Sequence, residues 1–250
     1  MKQNRQGFVS TIIRSSETLF KHRGYMLFQT GWFSGLILAA AWCMLVLLLA
    51  LSAPKAYRDF RKHGAAAALA GIILASVWSL NATPDGGQLA GMSYHLLAVN
   101  LIALMLGVPL AFWVCALLYL PYVWIFGSDW QAYPVNALAL FLPALAVNLL
   151  SRAWVNRLPA NIFIFIFVNG FLASAAGMLL TGGVLVGILD RVRAFPETAL
   201  WSTAFPVFFL IAWAEAFLSG ITVAIFIALR PQWINTFDDG RYLKPSNKIW

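Results

Sequence analysis

Seven apolar stretches, parted by short polar or glycine- and proline-containing breaks, set the pattern of this chain. They fall at about 32–53, 65–82, 90–106, 109–126, 134–151, 160–189 and 203–229. A helix satisfies every backbone N–H and C=O within its own segment, so an apolar run of ~20 residues reads as a membrane-spanning helix. The fold class expected is therefore all-α, a polytopic membrane helix bundle of about seven transmembrane segments. Several runs fall short of ~20 residues, which suits tilted, interrupted or shielded helices. The breaks carry stop signals: Pro54 with Lys55, Arg58, Arg61 and Lys62; Gly107-Val108-Pro109; Gly127-Ser128-Asp129; Arg230-Pro231. Three parts follow: a basic N-terminal arm at 1–30, a helix bundle at 31–230 and a polar C-terminal tail at 231–250. In the arm, Phe8, Ile12, Leu19 and Phe20 are loosely helical in spacing, which fits a surface-lying amphipathic helix or a disordered basic arm.

Composition turns this pattern into a firm class. Of 250 residues, 61% are hydrophobic and 10% charged, against roughly a quarter charged in a soluble domain. So few charges cannot cover a soluble surface, and the lipid bilayer is the first partner expected. The net charge of +8 does not point to nucleic acid, because the charges sit in loops and tails where headgroups and topology account for them. Lysines and arginines number four in 54–64, two in 152–159 (Arg152, Arg157) and four from Arg230 onward. The opposite loops hold Arg191 and Arg193 alone. This asymmetry predicts a multi-pass cell-membrane protein with a cytoplasmic C-terminus and the loop before His95 facing outward. The arm, with five basic residues, falls outside and runs against the rule. The first apolar run is long enough to span and is expected to stay in the mature protein. Cys43 and Cys115 both lie in apolar runs and read as small buried hydrophobes rather than a disulfide.

Polar side chains inside the runs are the candidate chemistry. His95 is the one histidine in a long apolar segment, after the loop Thr83-Pro84-Asp85-Gly86-Gly87-Gln88. Imidazole at that depth needs a partner, so it reads as an ion, proton or substrate site, or as a ring hydrogen-bonded to a neighbouring helix. Glu215, with Ser219 and Thr222 on its helix face, fits a proton or cation site equally with a structural cap. Asn136 and Asn169 are further intramembrane polar positions. Asn169, Ala173, Gly177, Thr181 and the pair Gly183-x-x-x-Gly187 form a small-residue stripe suited to close helix packing. No His-Glu-x-x-His, Gly-x-Ser-x-Gly or Walker pattern occurs, so catalytic residues and intrinsic cofactors are not expected and the chain does not read as an enzyme.

In order and spacing, three blocks resemble the membrane substrate-capture components of energy-coupling factor transporters for cobalt and nickel, the cobalamin-biosynthesis permease family. They are Gly86-Gly87 with Gly91-x-Ser93-x-His95-Leu96 and Leu106-Gly107; Leu117-Leu118 through Phe126-Gly127 with Asn136; and Glu215 with Gly220 and Arg230-Pro231. Together they cover about 85–232. The resemblance implies a permease component that captures a transition metal ion, with a transmembrane coupling subunit and ATPase subunits as partners. It also implies a metal site built from the N-terminal amine, a histidine at the second position and the histidine matching His95. Such a nitrogen set favours Ni, Cu and, less strongly, Co as cargo. Here the second residue is Lys2, and even a start at Met26 would place Leu27 where that histidine belongs. Met92 before His95 could add a thioether, making His95 and Met92 the candidate metal ligands. The alternative is a membrane scaffold or assembly factor that retains the fold and has lost the metal site.

Overall fold

The structure, a computed structural model, describes residues 28–80, 88–89, 92–93, 95–125 and 129–243. Residues 1–27 of the 1–30 arm, most of the loop before His95, and Lys244 and Lys248 lie outside the described residues. Helices build nearly all of it: α1 Gly35–Lys62, α2 Gly64–Ser79, α3 Val99–Leu106, α4 Val108–Ile125 and α5 Tyr133–Val155. Then come α6, Ile162–Arg191, and α7, Ala199–Leu229, and a one-turn helix α8, Asp239–Tyr242. A two-residue antiparallel pair, β1 Gln88–Leu89 with β2 Met92–Ser93, joins Gln88 to Ser93 and Leu89 to Met92. Five of the helices are long and apolar enough to cross a membrane: α1, α4, α5 with its preceding 3₁₀ turn, α6 and α7. The other two apolar runs became α2, of 16 residues, and α3, of 8 residues. The bundle is an all-α membrane fold, with seven apolar runs but fewer full crossings among the described residues.

The third run differs most from its reading as a helix over 90–106. Strand β2 and an irregular turn at 95–98 fall in its first half, and among its described residues only Val99–Leu106 is helical. Ala98 adopts a left-handed conformation, φ 55° and ψ 13°, which the helix cannot continue through. All eight residues of α3 are buried. A helix of this length rises roughly 12 Å, too little to cross. Gly107 then reverses the chain into α4 at φ 80°, a conformation that favours glycine.

The first run ends later than its proline suggests. Helix α1 continues past Pro54 to Lys62 and carries the four basic residues on its last two turns. Proline removes one donor, and Ser52 Oγ bonds back to the carbonyls of Leu48 and Leu49 at 2.7 and 3.0 Å. Cys115 is buried as expected, whereas Cys43 is exposed on α1. Helices α5, α6 and α7 form the centre of the bundle. At Gly177 a Cβ would stand 3.1 Å from Ala144 Cα, and at Gly182 it would clash with Phe208 at 2.4 Å. The close approach thus uses Gly177 and Gly182; nothing lies within 4 Å of Gly187.

Candidate functional site, a buried turn at the head of a short helix

The site forms where the 95–98 turn meets α7. Glu215 lies sixteen residues after Ala199 and fourteen before Leu229 on this 31-residue helix, roughly 20 Å from either end. Its Oε1 accepts hydrogen bonds from the N–H groups of Leu97 and Ala98, the second at 2.8 Å, and Oε2 is 3.2 Å from Ala98 N. The first N–H groups of a helix lack intrahelical partners and its N-terminus favours negative charge, so a carboxylate belongs there. Glu215 thus meets backbone donors at the head of α3, with Ala98 at the cap position and Leu97 one residue before it. The turn is held from other sides too: Trp78 Nε1 donates to Leu97 O at 3.1 Å, and His95 Nδ1 lies 2.9 Å from Leu96 O.

That last contact sets the histidine's chemistry. With Nδ1–H donating to the Leu96 carbonyl, Nε2 carries the lone pair that a metal or proton would use. The ring is buried, and its Nε2 is 3.5 Å from the Tyr122 hydroxyl. Tyr122 belongs to an aromatic cluster with Trp78, Tyr119, Tyr133 and Phe141, in which Trp78 and Phe141 stack at 6.0 Å between centroids. His95 is not on a helix; it is two residues ahead of the Leu97 N–H that meets Glu215. Met92 sits on β2 rather than one helical turn ahead of His95. Among the described residues, no three His, Cys, Asp or Glu side chains gather into a metal-binding group.

A polar layer continues behind the turn. Asn100 Nδ2 donates to Asn169 O and to Ser174 Oγ, each at 2.8 Å, and Asn148 Nδ2 donates to Asn100 Oδ1 at 2.8 Å. Asn169 lies in a π-helical stretch, Phe165–Leu172, inside α6. Such a wide turn leaves carbonyls free for other donors. A cavity of about 10 Å³ borders Glu215, Asn100, Ser174, Thr181 and Met178, near the least volume that admits a water.

Asn136 does separate work at the end of α5. Its Oδ1 accepts from Phe28 N at 2.6 Å and its Nδ2 donates to Phe28 O at 3.1 Å. Asp129 Oδ2 accepts from Thr30 N at 3.0 Å. Burial alone would raise the Asp129 carboxyl, but hydrogen bonds from Thr30 and Gln131 outweigh it and hold the pKa below its ordinary value. The chain entering α1 thus lies at the same end of the bundle as the 129–133 segment.

Below the other end of α3, the tail closes the fold. Asn235 N and Thr236 N donate to Met105 O and Leu104 O at 3.0 and 3.2 Å. Their side chains reach Leu106 O and Leu104 O at 3.2 and 2.8 Å. Arg241 donates to Val155, Asn156 and Leu158 carbonyls at 3.0–3.4 Å, covering the open end of α5. The sequence pattern gave no sign of Trp78, Tyr122, Asn235 or Thr236. Their roles depend on tertiary neighbours, and only their polar atoms beside apolar runs could have suggested them.

Five helices long and apolar enough to cross a membrane, packed around a short buried helix, define a polytopic membrane protein rather than a simple anchor. The chain belongs to the cobalt uptake substrate-specific transmembrane region family (CbiM), which matches residues 28–233. It is accordingly a membrane component of the metal-uptake kind, and the family is one of transporter components rather than enzymes. Two crystal structures share the fold, one described as a truncated transition metal transporter and one as a transition metal transporter. Each has a TM-score of 0.59 and 18% identity over 81% of this chain, covering 98% and 93% of those chains. No curated relative matches.

Proposed function

We propose that this chain is the substrate-capture permease component of an energy-coupling factor type transporter, taking up a transition metal ion through His95 with a coupling subunit and ATPase subunits. The observation that carries this reading is the orientation of His95. A backbone carbonyl holds Nδ1, so Nε2 is the ring nitrogen left to offer its lone pair to a metal, in a buried histidine inside the family-matched region. Nickel, cobalt and copper are the ions such a nitrogen donor suits, and Met92 is the thioether nearest in sequence. The C-terminus is cytoplasmic in this reading, and the β1–β2 side faces outward in the cell membrane. The test is metal accumulation by cells expressing the chain with its native partners, wild type against His95→Ala. Loss of uptake in the variant is expected, together with ATPase subunits co-purifying from native membranes. Uptake unchanged by the variant would overturn the role of His95.

One observation favours the second reading, a scaffold that kept the fold and lost the metal site. Tyr122 already faces Nε2 at 3.5 Å, on the side where an ion would bind. A scaffold gives a stable partner complex, zero bound metal after loading with Ni, Co, Cu or Zn, and no uptake defect in His95→Ala.

A further inference from the structure

We propose that Glu215 is a positioning residue for the capture site, acting on His95 through the backbone of the turn between them. Its carboxylate never meets the imidazole in the described contacts; it takes the N–H groups of Leu97 and Ala98. Those two bonds, with Trp78 Nε1 on Leu97 O, fix both faces of the Leu97 peptide environment. Leu96, one residue earlier, supplies the carbonyl that orients Nδ1 of His95. The left-handed Ala98 is unfavourable for a non-glycine residue, so the turn keeps this shape only while its N–H groups have a fixed acceptor. Glutamine at 215 offers one carbonyl oxygen where the carboxylate offers two, and brings an NH₂ group toward backbone donors. Such a turn slackens, and the lone pair of Nε2 loses its fixed direction. Outer partners that orient a metal-ligating histidine are worth about 10- to 100-fold in metal affinity.

The proposal rests on the capture reading for what His95 binds, but not for how the ring is held. Two measurements on the purified full chain separate these. The first titrates Ni²⁺, Co²⁺ and Cu²⁺ into wild type, Glu215→Gln, Glu215→Asp and Trp78→Phe. Affinity is expected to fall about 10- to 100-fold in Glu215→Gln, less in Glu215→Asp, and a few-fold in Trp78→Phe. The second records imidazole ¹⁵N spectra of the metal-free protein, with His95 assigned by its loss in His95→Ala. Wild type should show a single Nδ1-protonated tautomer, and Glu215→Gln an averaged one. If wild type binds none of the three metals, the capture reading fails and the spectra alone decide the positioning role. An unchanged His95 spectrum in Glu215→Gln overturns the proposal, as does unchanged affinity where wild type binds. Should Glu215→Gln fail to fold, Trp78→Phe carries the same two readouts, and its wild-type values would overturn it.

Discussion

Helices α1 and α3 both begin from strongly apolar runs and have opposite fates. Of the 28 residues in α1, only Leu38, Leu45 and Ala56 are buried, and Leu51 is 71% exposed. Its outer face is suited to lipid. All eight residues of α3 are buried, and it never approaches a full crossing. Hydrocarbon and protein interior are alike to an apolar side chain, so hydropathy does not separate the two helices. The backbone does. Helix α1 ends among charged residues, where water can take its last carbonyls. The head of α3 stops beside the middle of α7, and its foot is covered by the tail, so protein groups meet its backbone at both ends. Glu215 takes the N–H groups of Leu97 and Ala98 just ahead of the first residue of α3, and Asn235 with Thr236 take the carbonyls of Leu104, Met105 and Leu106 at its foot.

Four substitutions would break or sharpen this contrast. The largest effect is expected from Leu104→Lys, which buries an unpaired ammonium at a site of 0% exposure. No folded, monodisperse protein should survive extraction and size-exclusion chromatography. Next comes Asn100→Leu, which strands Asn148 Nδ2 and the Asn169 carbonyl. A loss of about 1–3 kcal/mol is expected for each buried group left unpaired. It would be read as an earlier reaction of buried Cys115 with a thiol dye on heating, in a Cys43→Ser background. Thr236→Val removes one hydroxyl bond to Leu104 O and should cost about 0.5–1.5 kcal/mol in the same assay. Leu51→Ala on the outer face of α1 should stay within about 0.5 kcal/mol. If Leu51→Ala destabilised as much as Asn100→Leu, that face would be packed against protein rather than lipid.

The apolar runs and their breaks were legible along the chain because proline, glycine and charge mark helix ends locally. Gly107 ended α3 where the pattern placed the break, and α5, α6 and α7 fell close to their runs. The irregular turn at 95–98 was not legible. Nothing in Tyr94-His95-Leu96-Leu97-Ala98 forbids a helix; the partners that meet the turn's backbone, Trp78 and Glu215, the latter 117 residues beyond Ala98, are brought there by the tertiary fold. The same limit applied to the candidate site. His95 and Glu215 stood out as ionisable groups in apolar runs, yet their relation through a shared turn needed the tertiary fold. Asn136 shows the other side of it. The residue was conspicuous, but its bonds to the backbone of Phe28, 108 residues earlier, could not be read from spacing.

The tail contacts have a mechanical consequence. Helix α7 grips the head of α3 by Glu215, and the chain that continues from α7 grips its foot by Asn235 and Thr236. Held at both ends by one long rod and its extension, α3 joins the base of the bundle at Asn235 and Thr236 to the turn that carries His95.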